Sequence, residues 1–182
     1  EMQRSLVGSE MCIRDSADAV HGAEICRDLQ DRLVMIARVS DAGAFVNTNA
    51  LTLKRSHGDY SVMQLLYDGS EIKAVLDFVN AGEVPIAWEL IRSYSYMDCT
   101  FNAARLAAYT NEYRRYAEVS MDDLRYMPYL YLGQLLSSTY GYKQYLQTGD
   151  EELLAFGRWR TEMCRYLIAN AGEVSAELVR LA

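Results

Sequence analysis

Apolar residues recur every three or four positions from Pro85 to the C-terminus. This spacing places them on one face of an α-helix, because an α-helix has about 3.6 residues per turn. The same spacing predicts an amphipathic helix over residues 22–39. Its apolar positions are Ile25, Leu29, Leu33 and Ile36. A chain with this pattern must bury several helical faces against one another, so most of it is expected to be helical.

Turn and capping residues predict where the helices of the second half begin and end. Two pairs have the spacing of a capping box: Ser120 with Asp123, and Thr148 with Glu151. Pro128 is expected to kink or divide the helix after Ser120, because proline lacks an amide hydrogen and its ring collides with the preceding turn. Gly172 is expected to interrupt the last long helix and to leave a short final helix behind it.

Two short segments, residues 63–67 and 72–78, are typical of strands. Asp68-Gly69-Ser70 lies between them and contains the glycine that a tight β-hairpin needs. The predicted fold class is therefore α+β, mainly α, with one small β-hairpin.

Charge and composition exclude several classes of function. The 182 residues carry a net charge of −7, whereas a protein that binds nucleic acid through its phosphates needs a basic surface. No stretch approaches the roughly 18 uninterrupted apolar residues of a membrane span, and residues 1–16 lack the apolar core of a signal peptide. We therefore expect a cytoplasmic protein that binds neither nucleic acid nor membrane.

Cysteine and histidine usage indicates neither zinc nor disulfides. The four cysteines form no C-x-x-C pair, and the sequence has only two histidines. The cysteines are expected to be reduced thiols. They are Cys12, Cys26, Cys99 and Cys164.

The first residues have an unusual composition. Residues 4–16 read RSLVGSEMCIRDS and resemble a translated sequencing adapter; the alternative is an ordinary polar tail. The segment has neither a helical nor a strand period. We expect residues 1–16 to be an artefactual tail outside the fold, and residues 17–182 to form the folded part.

Three polar residues near the predicted hairpin could form one site. Asp59 lies in the loop before the first strand, Gln64 begins that strand, and Asp77 closes the second. A hairpin brings Gln64 and Asp77 to the same end of the sheet, near Asp59. Two carboxylates and an amide oxygen suit Mg²⁺. Phosphoryl transfer uses such a site, because the metal neutralises phosphate charge while a separate carboxylate orients the attacking hydroxyl.

Residues 57–92 resemble the signature of the aminoglycoside phosphotransferase and choline kinase superfamily, which is related to protein kinases. The resemblance is carried by His57-Gly58-Asp59, Gln64, Leu76-Asp77-Phe78 and Trp88-Glu89-Leu90. It implies a kinase-like C-terminal helical lobe whose hairpin carries the catalytic and metal-binding loops. By resemblance, Asp59 is the catalytic base, and Gln64 and Asp77 bind Mg²⁺.

The same resemblance implies that His57 and Gly58 are structural residues of the catalytic loop. Two positions depart from the family pattern, because Gln64 replaces the usual asparagine and Glu89 replaces the usual aspartate. Both replacements keep the functional group and add one methylene. They indicate a particular subfamily more than a dead enzyme.

The implied activity is transfer of the γ-phosphate of ATP or GTP to a hydroxyl of a small molecule. Aminoglycosides, choline and homoserine are acceptors within the family, and the sequence leaves the choice open. An alternative is a non-catalytic helical interaction module that resembles a pseudokinase. Another is a plain helical scaffold, which a hairpin that separates Asp59 from Asp77 would favour.

The resemblance also implies a nucleotide-binding lobe with a lysine that pairs with the phosphates. The only lysines are Lys54, Lys73 and Lys143, and no glycine-rich loop precedes the motif. We therefore expect this lobe to be missing, and the chain alone to bind ATP weakly without turnover. Its loss should expose an apolar surface near Leu51, Leu53 and the hairpin.

The helical region contains residues that could bind the acceptor. Five tyrosines could stack on a sugar or a cationic amine, or could simply pack the core. They are Tyr94, Tyr96, Tyr109, Tyr113 and Tyr116. Four acidic residues would suit a cationic acceptor, although a solvated helix surface explains them as well. They are Asp98, Glu112, Asp122 and Asp123.

Overall fold

The structure, a computed structural model, describes residues 11, 20–41, 46, 48–97 and 102–182. The described part is mainly helical with two small two-stranded sheets, which confirms the predicted α+β, mainly α class. No helix within it is long and apolar enough to cross a membrane. Sequence predictions for Cys12, Asp98, Cys99 and nearly all of residues 1–16 lie outside it.

Six helices and four short strands make up the described architecture. The helices are α1 (Gly22–Asp41), α2 (Ile86–Met97), α3 (Ala103–Arg114), α4 (Met121–Ser137), α5 (Tyr142–Thr148) and α6 (Glu151–Leu181). The strands are β1 (Leu53–Ser56), β2 (Leu65–Asp68), β3 (Glu71–Val75) and β4 (Gly82–Pro85). β1 pairs antiparallel with β4, and β2 with β3. The residues group into two compact units, 1–45 with 132–170, and 46–131 with 171–182.

In the first unit, the apolar face of α1 packs against α5 and the start of α6. This core consists of Ile25, Leu29, Tyr142, Tyr145 and Leu154. The face matches the predicted helix over residues 22–39. Cys26 and Cys164 also belong to this unit and form no disulfide among the described residues. Burial raises the pKa of the Cys164 thiol.

One residue on the buried side of α1 is an arginine. Arg32 is fully buried, whereas Leu33 is only partly buried. The Arg32 guanidinium donates to the Thr161 hydroxyl at 2.9 and 2.7 Å. It also donates to the carbonyl oxygens of Ser138 and Gly157, at 2.7 and 3.1 Å. A buried guanidinium is tolerated when its donors meet acceptors in this way.

A second set of polar contacts in the same unit is centred on Asp28, which is 7% exposed. Its carboxylate accepts a hydrogen bond from the Tyr142 phenol and one from Arg165 at 2.9 Å. Burial is the main reason that the pKa of Tyr142 is raised, and the bond to Asp28 raises it further. Tyr142 therefore stays protonated and acts as the donor at neutral pH.

Tyr142 also fills a space that Gly157 leaves open, and Gly141 allows a close approach beside it. A Cβ at Gly157 would lie 2.5 Å from Cδ1 of the Tyr142 ring. A Cβ at Gly141 would lie 2.9 Å from Cα of Gly157. The start of α5 and the second turn of α6 therefore touch through backbone, which only residues without a Cβ permit.

In the second unit, α2 follows directly from the β1–β4 pair. Leu53 is opposite Pro85 and Ser56 is opposite Gly82. β4 ends at Pro85, and the amide of Ile86, the first residue of α2, donates to the Thr52 carbonyl at 3.0 Å. The helix buries Ile86, Ala87, Leu90, Ile91 and Tyr94. The sequence patterns did not predict β1 and β4, which pair across the intervening residues 57–81 instead of through a tight turn.

The predicted capping box at the start of α4 is present. The Asp123 amide donates to the Ser120 hydroxyl at 3.0 Å, and the Ser120 amide donates to the Asp123 carboxylate at 2.8 Å. Asp123 is fully buried and also accepts from the Thr52 amide at 2.9 Å. Pro128 lies inside α4, which continues through it.

Two sequence predictions for α6 were wrong. The helix continues through Gly172, because Ala171, Val174 and Leu178 are buried along one face and their packing outweighs the weak helix propensity of glycine. Its N-terminus is capped by Asp150, whose carboxylate accepts from the Glu152 amide at 2.9 Å. The predicted cap, Thr148, instead donates to a carbonyl of α5.

The strands of the hairpin are shorter than predicted. Gln64 ends a one-turn 3-10 helix (Val62–Gln64) instead of beginning β2. Asp77 lies two residues beyond the end of β3, with φ of 61° and ψ of 61°. A left-handed residue cannot continue a strand, which explains why β3 ends early.

The glycine contacts predict opposite effects for two substitutions in α6. Gly157→Ala should destabilise the protein by about 1–3 kcal/mol, because the new methyl group collides with the Tyr142 ring. Gly172→Ala is the matched control, since its Cβ would lie 3.6 Å from the Tyr129 hydroxyl, an ordinary contact. It should stabilise by about 0.5–1 kcal/mol through helix propensity. Urea denaturation measures both, and destabilisation by Gly172→Ala would contradict a continuous α6.

Candidate active site

His57 anchors the segment that follows β1. Its side chain is 8% exposed, and Nε2 donates to the Leu76 carbonyl at 2.6 Å. Because a carbonyl oxygen can only accept, Nε2 carries the proton. The imidazole also packs on the Phe78 ring, with 4.6 Å between ring centroids. His57 thereby joins the loop before Asp59 to the chain that leaves β3.

Gly58 allows an even closer approach between the same two segments. Its φ is +77°, which favours glycine, and a Cβ would lie 2.0 Å from the Asn80 carbonyl oxygen. Asn80 ends the short 3-10 helix Phe78–Asn80 that follows Asp77. The chain carrying Asp59 therefore contacts the chain carrying Asp77 through both His57 and Gly58.

Glu89, in the first turn of α2, holds the loop from its other side. Its carboxylate is 7% exposed and accepts hydrogen bonds from the amides of Gly58 (3.1 Å) and Tyr60 (3.0 Å). These amides flank Asp59 in the chain. The sequence indicated Glu89 only as a departure from the family pattern, so this role was missed. The available signal was an acidic residue in an otherwise apolar helical turn.

The Asp59 carboxylate faces α2, where it forms an ion pair with Arg92. The pair is largely shielded from solvent, with side-chain exposures of 25% for Asp59 and 11% for Arg92. The Arg92 guanidinium also lies over the Trp88 ring, 5.4 Å from its centroid. Glu89 and Arg92 are one helical turn apart, so α2 contacts three consecutive loop residues. The sequence analysis did not assign any role to Arg92.

The hairpin brings Gln64 and Asp77 to the same end of the β2–β3 sheet. The Leu76 amide donates to the Gln64 carbonyl at 2.8 Å, one step beyond the Leu65–Val75 pair. Asp77 follows immediately and is exposed, whereas Gln64 is half-buried. Among the described residues, Asp77 is the non-glycine residue with positive φ. Such strain tends to occur where a side chain must point in an unusual direction.

The donor set determines which metal chemistry is possible here. Across the described ranges, no group of three or more His, Cys, Asp or Glu side chains could hold a metal. Gln64 and Asp77 offer one amide oxygen and one carboxylate. Mg²⁺ is commonly held by one or two carboxylates together with phosphate oxygens and water. One carboxylate and one amide oxygen are therefore a donor set that Mg²⁺ accepts when phosphate oxygens and water supply the other ligands.

Tyrosines on α3 lie close enough to Glu89 for its charge to affect them. Burial raises the pKa values of Tyr109 and Tyr113, and the negative charge of Glu89 raises both further. Tyr109 exchanges a hydrogen bond with the Ser93 hydroxyl at 2.9 Å. Burial also raises the pKa of Tyr60, beside Asp59. These phenols are neutral at physiological pH.

The other candidate acceptor residues have different surroundings. Tyr94 is 4% exposed and belongs to the core, whereas Tyr116 is 79% exposed and lies beyond the end of α3. The side chain of Tyr96 lies outside the described residues. Glu112 and Asp122 pair with arginines on their own helices, Arg115 and Arg125.

Apolar side chains of the hairpin region are exposed. The exposed fraction is 55% for Leu53, 51% for Leu66 and 58% for Phe78. Leu51, which was expected to share this surface, is only 7% exposed because it packs into the core.

The contacts of Glu89 predict a specific change in amide protection. Glu89→Gln keeps one acceptor oxygen, so one of the two amides, Gly58 or Tyr60, should lose its protection from hydrogen exchange. Glu89→Leu should expose both amides and lower the free energy of unfolding by about 3 kcal/mol, since a hydrogen bond to a charged group contributes about 1.5–3 kcal/mol. Glu118→Gln, at an exposed site, is the control. Unchanged protection in Glu89→Leu would contradict the proposed anchoring.

Comparison with known proteins places this site in a family. The family model described as the phosphotransferase enzyme family matches residues 17–119, which is more than half of the chain and includes Asp59, Gln64 and Asp77. No match was found among curated proteins or among solved structures. The chain therefore belongs to the phosphotransferase enzyme family.

Proposed function

We propose that this chain carries the catalytic base and the Mg²⁺ ligands for transfer of the γ-phosphoryl group of ATP or GTP to a hydroxyl group of a small molecule, and that turnover requires a nucleotide-binding lobe in addition. The observation that carries the proposal is the anchoring of both amides around Asp59 by the buried Glu89 carboxylate. A loop held in this way presents one carboxylate in a fixed direction, as a catalytic base requires. Membership of the phosphotransferase enzyme family supports the general class of reaction.

Asp59 is the proposed base. In the proposed reaction its carboxylate accepts a hydrogen bond from the acceptor hydroxyl. It takes the proton as the new oxygen–phosphorus bond forms and the bond from phosphorus to the nucleotide breaks. The hydroxyl is already oriented before transfer, which supplies much of the rate enhancement in reactions of this type.

Gln64 and Asp77 are the proposed Mg²⁺ ligands. The bound metal would neutralise charge on the phosphates. Support for the assignment comes from their common end of the β2–β3 sheet and from the left-handed backbone of Asp77. The contacts of His57 and Gly58 with Leu76 and Asn80 keep this end of the sheet next to the Asp59 loop.

The surroundings of the loop support two further assignments within the proposal. Tyr60, Tyr109 and Tyr113 would contact the acceptor, because neutral phenols beside a catalytic loop can donate hydrogen bonds to hydroxyl-rich or amine-bearing molecules. The exposed apolar side chains of the hairpin, including Leu66 and Phe78, would pack against the nucleotide base or the lobe that binds it.

The proposed metal ligands predict how nucleotide binding responds to metal. Asp77→Asn should weaken Mn²⁺-dependent ATP binding by about tenfold or more, because a charged ligand is lost. Gln64→Leu should weaken it less, and Gln64→Asn least. Electron spin resonance of Mn²⁺ at high protein concentration measures this even when binding is weak. Asp68→Asn, on an 81% exposed side chain at the opposite end of the hairpin, is the matched control. Equal affinities for all variants would exclude this metal site.

The proposed base predicts a separate defect. Asp59→Asn should retain metal-dependent ATP binding in this chain, and in the enzyme with its nucleotide-binding lobe restored it should lower phosphoryl transfer by about 10²–10⁴-fold, since the proton acceptor is removed. Transfer is measured from γ-labelled ATP to a panel of aminoglycosides, choline and homoserine. Raising the metal concentration should not restore it. Wild-type transfer rates in Asp59→Asn would overturn the proposed function.

A further inference from the structure

We propose that Arg92 is a phosphate-binding residue that exchanges its ion pair with Asp59 for the oxygens of the transferred phosphoryl group. This inference rests on the proposed function, since it assigns Asp59 to the acceptor hydroxyl. The carrying observation is the ion pair itself, which involves Nη2 of Arg92 and Oδ1 of Asp59. A base that must receive a hydroxyl group is here in contact with a cation.

Besides its ion pair with Asp59, the Arg92 guanidinium has a second contact that holds it in place. The guanidinium carbon lies over the ring of Trp88, one turn earlier on α2, 5.4 Å from the ring centroid. The N–H donors of a guanidinium lie in its plane, in the arrangement that suits carboxylate and phosphate oxygens. With 11% exposure, the Arg92 side chain is also shielded enough for its charge to act strongly.

Distance makes phosphate a feasible second partner. A hydroxyl bound to Asp59 lies about 2.7 Å from the carboxylate, and its oxygen must approach phosphorus to about 3–3.5 Å before reaction. The phosphorus is then about 6 Å from the Asp59 carboxylate, which is within reach of the long side chain of an arginine that touches the same carboxylate. A rotation of the terminal bonds of Arg92 could therefore replace one partner with the other.

The charges favour such an exchange during transfer. Negative charge spreads over three phosphoryl oxygens in the transition state, while Asp59 loses its negative charge as it takes the proton. The attraction of Arg92 for Asp59 thus falls as its attraction for the phosphoryl group rises. A purely structural ion pair would instead hold Asp59 with the same strength throughout.

Competition between the two partners predicts effects of opposite sign. Asp59→Asn removes the internal competitor and should strengthen phosphate binding by roughly threefold to tenfold. Arg92→Leu removes the binding group and should weaken it at least about tenfold. Arg92→Lys keeps the charge but not the planar fork, so its affinity should lie between wild type and Arg92→Leu. A merely structural Arg92 predicts no gain in Asp59→Asn.

Isothermal titration calorimetry measures the phosphate affinity of every variant, and in variants that keep Arg92 the fluorescence of Trp88 also reports displacement of the guanidinium from its ring. The chain has two tryptophans, so Trp159→Phe leaves Trp88 as the single reporter. The full chain in this background is titrated with inorganic phosphate at constant ionic strength, adjusted with sodium chloride. Arg180→Leu, which removes an exposed ion pair with Glu177, is the matched control and should bind phosphate as the parent does.

Thermal unfolding establishes that each variant is folded, and Arg92→Lys serves as the test if Arg92→Leu does not fold. The expected result is saturable phosphate binding that Asp59→Asn strengthens and both Arg92 variants weaken. The proposal would be overturned if the parent showed no saturable phosphate binding, or if substitution of Arg92 left the phosphate affinity unchanged. Phosphoryl transfer that survives Asp59→Asn would instead overturn the proposed function, so the two failures are distinguishable.

Discussion

Two backbone amides bound to one buried carboxylate hold together the part of the molecule on which the chemistry depends. Glu89 is fixed because α2 buries an apolar face that includes Leu90 and Ile91. Its negative charge, removed from water, is stabilised by the amides of Gly58 and Tyr60. Because α2 holds Glu89 in place, the Glu89 carboxylate also fixes the position of the loop, which has no regular hydrogen bonding of its own.

On its other side, the same loop is held by close contacts that leave no room for a larger side chain. Gly58 touches the Asn80 carbonyl where any Cβ would collide, and His57 fills the space beside Phe78. Asp77 adopts a left-handed backbone that a non-glycine residue adopts only at some energetic cost. Unfavourable local geometry and favourable anchoring therefore occur within a few residues of each other. This combination is typical of a site whose geometry matters more than its local stability.

Sequence reasoning located the important segments because they are short motifs with fixed spacing. It recognised His57-Gly58-Asp59 and the ends of the hairpin, and it recognised α1 and the start of α4 from periodicity and capping. It did not recognise the contacts of Glu89 and Arg92 with the loop, because each joins residues about 30 positions apart. The spacing of neighbouring residues in the sequence does not indicate a contact between residues so far apart.

The wrong predictions have the same origin. Gly172 looks like a helix end when only its own propensity is considered, but the buried neighbours on α6 decide the outcome. Arg32, for which no prediction was made, shows the same effect, because an arginine usually lies at the surface and here its donors find acceptors in α6 and just beyond the end of α4. In both cases long-range packing overrides a local preference.

The backbone contact between Gly141 and Gly157 has a consequence for how this part of the sequence can change. A side chain at position 157 would take the space of the Tyr142 ring, and one at position 141 would collide with the backbone of Gly157. Smaller rings at position 142 would leave a void beside the buried Arg32 guanidinium, 5.5 Å from the ring. The three positions can therefore change only in concert. In related sequences they should covary as a group, even though two of them carry no side chain at all.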